Sequence, residues 1–447
     1  MLFSSITFLY YFLPCVLFLY FIVPQRLKNM VLLISSLFFY AWGEPYYVLF
    51  MLGSICVGYF TGLGIEKYQD TDMTKWILAT SVTLHVVVLF GFKVSESLPI
   101  GISFYTFQVI SYMVDVYRKD VPAQKNVLDF ATYVSMFPQL IAGPIVRYAD
   151  IEKQLKNREH SMENSAYGIR RFVLGLSKKV LLANTLGELC EIFRSSNDKS
   201  ILFYWMYAVA FALHVYFDFS GYSDMAIGLG RMMGFHYQEN FNYPYISKSI
   251  TEFWRRWHIS LGSWFRDYVY IPLGGNRVNL PRFCLNIFVV WFLTGFWHGA
   301  GWNFIIWGLY FGLLLVIEKF WLGKLLKNRR AWNHIYVLFF IIISFVIFDG
   351  TDSLKLMYYL KAMFGGAGLP LISKEMIYYL RHYGILMIAG CFASLPIGKV
   401  LYLKIKESFG ERKWFEGVEI AGCVFLLILI TAYLVDGSFN PFLYFRF

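Results

Sequence analysis

A chain of 447 residues that is 58% hydrophobic and 15% charged departs from water-soluble domains, which carry roughly 25% charged residues. Its formal charge of +11 invites a nucleic-acid reading. Lys and Arg instead cluster in short loops between apolar stretches, as in membrane proteins, so no nucleic-acid partner is expected. Six scattered Cys residues without a CxxC pair indicate neither a disulfide framework nor a metal site. With no phosphate-loop or dinucleotide glycine motif, ATP-driven transport and hydride transfer also lose ground.

Bilayer-length apolar stretches recur from end to end and predict an all-α polytopic membrane protein. In chain order the candidate spans are 3–23, 29–43, 46–64, 76–93, 98–116, 201–218, 285–297, 303–321, 332–349, 382–400 and 417–436, about 11 in all. The first lacks a basic n-region and a cleavage site and reads as a retained helix. Arg26 and Lys28 put the first loop in the cytoplasm and the N-terminus outside. The basic loops 117–125, 322–330 and 401–413 fall inside by the same rule, which leaves 436–447 external. Three stretches are not clean spans. Residues 129–146 contain Pro138 and Gly143-Pro144 and read as a re-entrant or broken helix buried in protein. Residues 167–192 place Arg170, Arg171, Lys178 and Lys179 among apolar residues at helical spacing, as in a helix along the cytoplasmic face. Residues 353–380, with a Gly-rich turn at 365–368, suggest another partial insertion.

The polar residues inside this apolar chain carry the functional signal. His298, in Trp297-His298-Gly299, closes one apolar segment; an imidazole at membrane depth is costly and can accept a proton near neutral pH. It favours a membrane-embedded enzyme over a passive channel or scaffold; the plainer reading is a histidine that hydrogen-bonds a backbone carbonyl. The segment 285–297 rises only about 20 Å against a core of about 30 Å, which sets His298 inside the membrane, nearer the outer surface. Asn240 to Arg277 forms the densest polar cluster. There Asn242, Arg255, Arg256 and Arg266 alternate with aromatics, as in an interfacial anchor or a floor that receives a polar donor or carrier. His258 in that cluster reads as a brace or a donor-binding residue. Asp218 and Asp224 lie in or beside a span, where a carboxylate either orients an imidazole or pairs with a cation; His214, one turn before Asp218, belongs to the same seam. His85 and His334 read as core or interface residues, and His160, His236 and His382 as loop or terminus residues. The ending Asn440-Pro-Phe442-Leu-Tyr444-Phe445-Arg-Phe447 reads as a hydrophobic plug.

Several of these motifs are long enough to carry a resemblance. Asn242-Tyr-Pro-Tyr245, Glu252-Phe-Trp-Arg-Arg-Trp-His258-Ile-Ser260, Trp264-Phe-Arg-Asp-Tyr268, Ile271-Pro-Leu-Gly-Gly-Asn-Arg277 and Trp297-His298-Gly299 resemble the membrane-bound O-acyltransferase family. So do Phe217-Asp218-Phe-Ser-Gly-Tyr-Ser-Asp224, Gly143-Pro144 and Leu2-Phe3-Ser4-Ser5. The likeness is to its bacterial alginate O-acetylation branch, related to the teichoic acid D-alanyl transfer protein. The resemblance implies a helical bundle with re-entrant and interfacial helices and a central tunnel pinched near the histidine. It implies one membrane-embedded acyltransferase domain, 1–447, with N-terminal spans (1–128), a catalytic core (129–320) and C-terminal spans with the aromatic tail (321–447). The implied reaction moves an acyl group, acetyl by the branch, from a cytoplasmic thioester toward an extracytoplasmic polysaccharide. The thioester, acetyl-coenzyme A or an acyl carrier protein, is a co-substrate; no bound cofactor is expected. His298 is then the catalytic base, with His258 and Asp218 in support. The Phe-x-Tyr-x-x-Phe ending resembles an acyl-relay tail, with Tyr444 passing the acyl group to an SGNH-like extracytoplasmic acyltransferase. The location implied is the bacterial plasma membrane. A transporter for a polysaccharide or lipid-linked sugar is the rival class, but it needs two alternating gates and paired broken helices.

Overall fold

The computed structural model of the chain describes residues 1–95, 98–141, 143–326, 330–350, 352–410, 412–437 and 440. Among them every regular element is helical. The first nine α-helices are α1 (Leu13–Ile22), α2 (Lys28–Gly43), α3 (Val48–Lys67), α4 (Asp72–Val94), α5 (Ile102–Tyr117), α6 (Val127–Ser135), α7 (Phe137–Leu140), α8 (Tyr148–Lys156) and α9 (Met162–Ser177). Then come α10 (Thr185–Ser195), α11 (Ile201–Met232), α12 (Ile250–Arg256), α13 (Ile259–Phe265), α14 (Leu280–His298) and α15 (Trp302–Ile317). The last are α16 (Gly323–Leu325), α17 (Arg330–Asp349), α18 (Ser353–Met363), α19 (Lys374–Ala393), α20 (Ile397–Phe409) and α21 (Lys413–Asp436). Side-chain caps set several starts by satisfying orphan backbone donors. Asn126 accepts from Leu128 N–H at α6, Ser249 from Glu252 N–H at α12, and Asn279 from Arg282 N–H at α14.

The span count differs from the sequence expectation of about 11. Among the described residues seven helices are long and apolar enough to cross a bilayer, or eight if α19 and α20, bent by 60°, are one broken span. The shortfall is the stretches at 3–23, 29–43 and 98–116. The first is helical and apolar only over Phe8–Ile22, and α2 and α5 have 16 residues each. Sixteen residues rise about 24 Å, short of the hydrocarbon core. In α5 only Val114 and Tyr117 are even half-exposed; with Ser103, Thr106, Gln108, Ser111 and Asp115 buried among its apolar residues, it is enclosed by protein.

Two compact units divide the chain. One comprises Met1–Leu174, Tyr222–Glu239 and Arg266–Tyr268; the other Gly175–Gly221, Asn240–Phe265 and Val269–Phe447. In the first, the break expected within 129–146 is present: α6 ends at Ser135, Met136 leaves the helical region, and α7 follows with every residue buried. Gly168 of α9 and Gly228 of α11 pass backbone against backbone there, so a Cβ on either comes within 2.6 Å of the other's carbonyl oxygen. Small residues let membrane helices approach this closely. In the second unit, α14 and α15 form a hairpin whose crossing is set by Gly295 and Gly308. A Cβ on Gly295 collides with the Phe304 carbonyl, and one on Gly308 with the Trp291 carbonyl. Residues 167–192 are helical as expected, but not as a surface helix throughout: after α9 a π-helical stretch, Lys178–Asn184, turns Lys179 into the interior.

Candidate functional site

Both candidate histidines belong to the second unit, with Trp297 as a common neighbour. The Trp297 ring is 4.8 Å from the His298 ring, edge to face, and 6.0 Å from that of His258. His298 is the last residue of α14, and with 7% of its surface exposed it is buried. Trp307 at 5.1 Å and Phe348 at 5.2 Å meet its ring at near right angles, and Phe304 lies at 6.5 Å. Asn303 fixes part of this wall by donating from Nδ2 to the Phe348 carbonyl at 2.7 Å. The aromatic wall continues through Trp254, 5.6 Å from Trp307 and 4.7 Å from Trp291.

The helix leading to His298 is longer than the segment 285–297 expected from the sequence. Capped by Asn279, with Pro281 in its first turn, α14 starts at Leu280 and runs 19 residues. That rise of about 28 Å nearly matches the hydrocarbon core. His298 therefore stands at the far end of a full span, one short turn from the exposed Gly301 and Trp302. Its rings, rather than the helix length, keep it from solvent.

His258 is placed by a polar nest. It occupies the junction of α12 and α13 at φ 45°, a left-handed conformation that costs a non-glycine residue on the order of 1–3 kcal/mol. Asn240 holds the junction. Its Oδ1 accepts from Ser260 N–H at 3.2 Å, from Ser260 Oγ at 2.9 Å and from His258 Nδ1 at 3.2 Å. The backbone donor of Ser260 dictates that the amide oxygen, not the nitrogen, points here. His258 must then donate from Nδ1, which leaves the lone pair of the neutral ring on Nε2. Burial pushes its pKa down to about 3, so the ring is neutral at pH 7. Phe219 closes one side at 4.7 Å.

Around this junction Asn242 donates its N–H to the Arg256 carbonyl at 2.9 Å and accepts from the Arg256 guanidinium at 3.1 Å. Arg256 also pairs with Glu252 at 2.8 Å, while Arg255 is exposed. Burial works to raise the Glu252 pKa, but the Lys248 N–H and Arg256 hold it below the usual carboxylate range. The structure thus brings Asn242, Arg256 and His258 together. Arg266 belongs to the other unit, exposed and paired with Asp267 at 2.6 Å.

Asp218 faces a cation rather than either candidate histidine: Lys179 Nζ lies 2.6 Å from its Oδ1, both side chains 2% exposed. His214 bonds through Nδ1 to the Ala183 carbonyl at 2.6 Å. Gly187 leaves that ring its space, since a Cβ there falls 2.7 Å from Cε1. Asp224 pairs with Arg171 at 2.6 Å. His85 bonds to the Ser81 carbonyl and Ser54 Oγ, and His334 to the Ser247 carbonyl. Tyr444 lies outside the described residues.

Sequence reasoning assigned no role to Asn240 or Glu318. The buried Glu318 accepts from Ile250 N–H at 2.6 Å, Thr251 N–H at 3.1 Å and Thr251 Oγ1 at 2.6 Å. It caps the first turn of α12, where the helix dipole favours negative charge, and so steadies the helix that leads to His258. A carboxylate in the apolar stretch 303–321 was the available signal.

A buried imidazole in a dry aromatic wall, beside a second imidazole held neutral and oriented, suits proton transfer in acyl chemistry. The pattern of the membrane-bound O-acyltransferase family matches residues 37–360, and the chain belongs to that family. It is an O-acyltransferase, not a transporter, and a multi-pass protein of the bacterial plasma membrane. A probable alginate O-acetylase of Azotobacter vinelandii is 37% identical over 100% of both chains. A peptidoglycan O-acetyltransferase of Helicobacter pylori is 32% identical over 100% of this chain and 98% of that one. A teichoic acid D-alanyltransferase of Bacillus subtilis is 30% identical over 56% of this chain and 68% of that one.

Proposed function

We propose that the protein takes an acetyl group from a cytoplasmic thioester, acetyl-coenzyme A or an acyl carrier protein, and delivers it for O-acetylation of an extracytoplasmic polysaccharide. The single observation that carries this reading is His298, walled by Trp297, Trp307, Phe304 and Phe348 at the end of α14, in a chain similar along its length to polysaccharide O-acetylases. In the proposed step the acceptor hydroxyl oxygen attacks the thioester carbonyl carbon and its proton passes to the His298 imidazole. The carbon–sulfur bond then breaks, and the proton returns to the departing thiolate. Water must be kept out, because it competes for the thioester; the aromatic wall serves that end. Donor and acceptor reach His298 from opposite faces through a tunnel.

His258, with its Nε2 lone pair, supports the donor side, and Asn242, Arg255 and Arg256 present a polar floor that receives the donor; Arg266, in the first unit, is a separate candidate for donor contact. Asp218 maintains the α11 seam through Lys179. Tyr444 is the proposed relay: its phenol accepts the acyl group as an ester and hands it to an SGNH-like extracytoplasmic acyltransferase, which holds the polymer. Asn440, hydrogen-bonded to Asn184 at 3.1 Å, ties down the chain just before it.

Purified protein given a thioester labelled in its acetyl group tests the reading. Label lost from the thioester by wild type and retained with His298→Ala supports it; equal turnover by both removes His298 from the chemistry. Tyr444→Phe keeps the aromatic ring and removes the relay oxygen, so polymer acetylation at wild-type level in that variant rules the relay out.

A further inference from the structure

Tyr20, Lys28, Arg158 and His160, all in the first unit, form a cluster that the acyl-transfer chemistry leaves unused. Lys28 and Arg158 are each only 8% exposed, and neither forms an ion pair among the described residues. Arg158 donates from Nη2 to Asn29 Oδ1, but its Nε and Nη1 are buried with no hydrogen-bond acceptor among the described residues. Asn29 turns its Oδ1 toward Arg158 because its Nδ2 donates to Asp129 Oδ1 at 2.6 Å and to the Leu155 carbonyl at 2.9 Å.

The donors on the other side converge as well. The Tyr20 hydroxyl donates its one proton to the Met233 carbonyl at 2.6 Å. His160 Nε2 lies 3.0 Å from that hydroxyl and 3.4 Å from Lys28 Nζ, so the imidazole joins the two side chains. Rings back the cations: Lys28 lies 4.7 Å from the Tyr20 centroid, and Arg158 lies 4.7 Å from that of Phe235. Burial, and then the Arg158 charge, pushes the Lys28 pKa down. For His160 burial acts first, and then Lys28 and Arg158. The neighbouring carboxylate Glu159 is exposed, and the buried Asp129 acts on Arg158 through Asn29 and by its charge, without an ion pair among the described residues. Two buried cations, one of them with unsatisfied donors, call for a multivalent oxygen acceptor.

We propose that Lys28, Arg158 and His160 form a binding site for a phosphate-bearing anion, separate from the acyl-transfer centre. The phosphate can come from an anionic phospholipid headgroup or from a soluble phosphate. The headgroup is the expected source. Phe18, Phe21 and Ile22 of α1, beside Tyr20, are 66%, 49% and 65% exposed, an apolar surface along which acyl chains can lie. The first loop, with Arg26 and Lys28, is cytoplasmic by the positive-inside rule, where basic pockets between membrane helices hold anionic headgroups.

Native mass spectrometry of the full-length protein tests this with phosphatidylglycerol against phosphatidylcholine, alongside thermal unfolding with inorganic phosphate. Wild type should retain phosphatidylglycerol preferentially, and Lys28→Gln should reduce that preference about fivefold, the worth of one interfacial cation. Arg158→Gln should abolish it; if that variant does not fold, Lys28→Gln and His160→Gln, nearer the surface, carry the test. A phosphate-dependent rise in stability that Lys28→Gln removes, without lipid preference, keeps the anion site and assigns it to soluble phosphate. Wild type and Lys28→Gln behaving alike in both assays overturns the proposal.

Discussion

His298 and His258 are both buried and both lie against Trp297, yet the contacts described around them differ in kind. Around His298 rings from α14, α15 and α17 keep water out. Around His258 an amide oxygen with three donors, a strained backbone and a capped helix fix the ring's position and tautomer. Burial alone therefore says nothing about a histidine's task; the chemistry of its neighbours does. A dry wall suits a base whose proton changes hands with a substrate, and a polar nest suits a group that must hold one protonation state.

The largest expected effect tests that division directly. His298→Ala should lower transfer from labelled thioester by about 10²- to 10⁴-fold, the usual worth of a general base, while thermal unfolding stays near wild type. A tenfold loss or less would erase the distinction between the two histidines. Lys179→Met should destabilise the second unit by about 3–5 kcal/mol, because the buried Asp218 loses its cation. The double variant Lys179→Met, Asp218→Leu should recover most of that stability, as read by thermal unfolding. If it recovers the fold but not transfer, Asp218 acts in the reaction as well as in the seam.

Smaller effects sharpen the picture of the polar nest. Glu318→Leu strips the cap from α12 and should cost about 1–3 kcal/mol, with a rise in the KM for donor larger than the fall in kcat. Acid should expose the protonation state of His258. Its folded pKa, about 3, lies below the 6.5 of an unfolded histidine, so as pH falls the unfolded chain takes up the proton first. The stability tied to the neutral ring is complete above pH 6.5 and is lost toward pH 3 at about 1.4 kcal/mol per unit. Between pH 7 and 5.5 wild type should lose about 1.4 kcal/mol more than His258→Asn, a variant whose side chain tolerates the left-handed backbone. Equal acid sensitivity would mean that His258 is not held neutral. The smallest effect belongs to the exposed rim: Arg255→Gln should leave stability within about 0.5 kcal/mol and weaken donor binding in a salt-dependent way.

Much of this molecule could be read before folding was considered. Hydropathy located the apolar helical stretches, although 382–400 straddles the bend between α19 and α20; the Pro and Gly of 129–146 marked the broken helix, and the motifs carried the resemblance to the family. The crossing helices could not be counted the same way, because apolarity does not reveal whether a 16-residue helix such as α5 meets lipid or is enclosed by protein. Asp218 was a costly carboxylate on sight, but its partner, Lys179, is distant in sequence and exposed by pattern. A π-helical turn brings it inward.

The amino-acid sequence by itself determined that this chain enters a membrane and that it is helical through its apolar stretches, and it marked His298 and His258 as candidates for the chemistry. Those are local properties: hydropathy over a span, and side-chain type. Tertiary structure alone decided that Trp307 and Phe348 shield His298, that Asn240 fixes the tautomer of His258, and that Glu318 caps the helix before it. Each depends on atoms far apart along the chain meeting within about 3 to 5 Å, a distance that composition and periodicity do not encode.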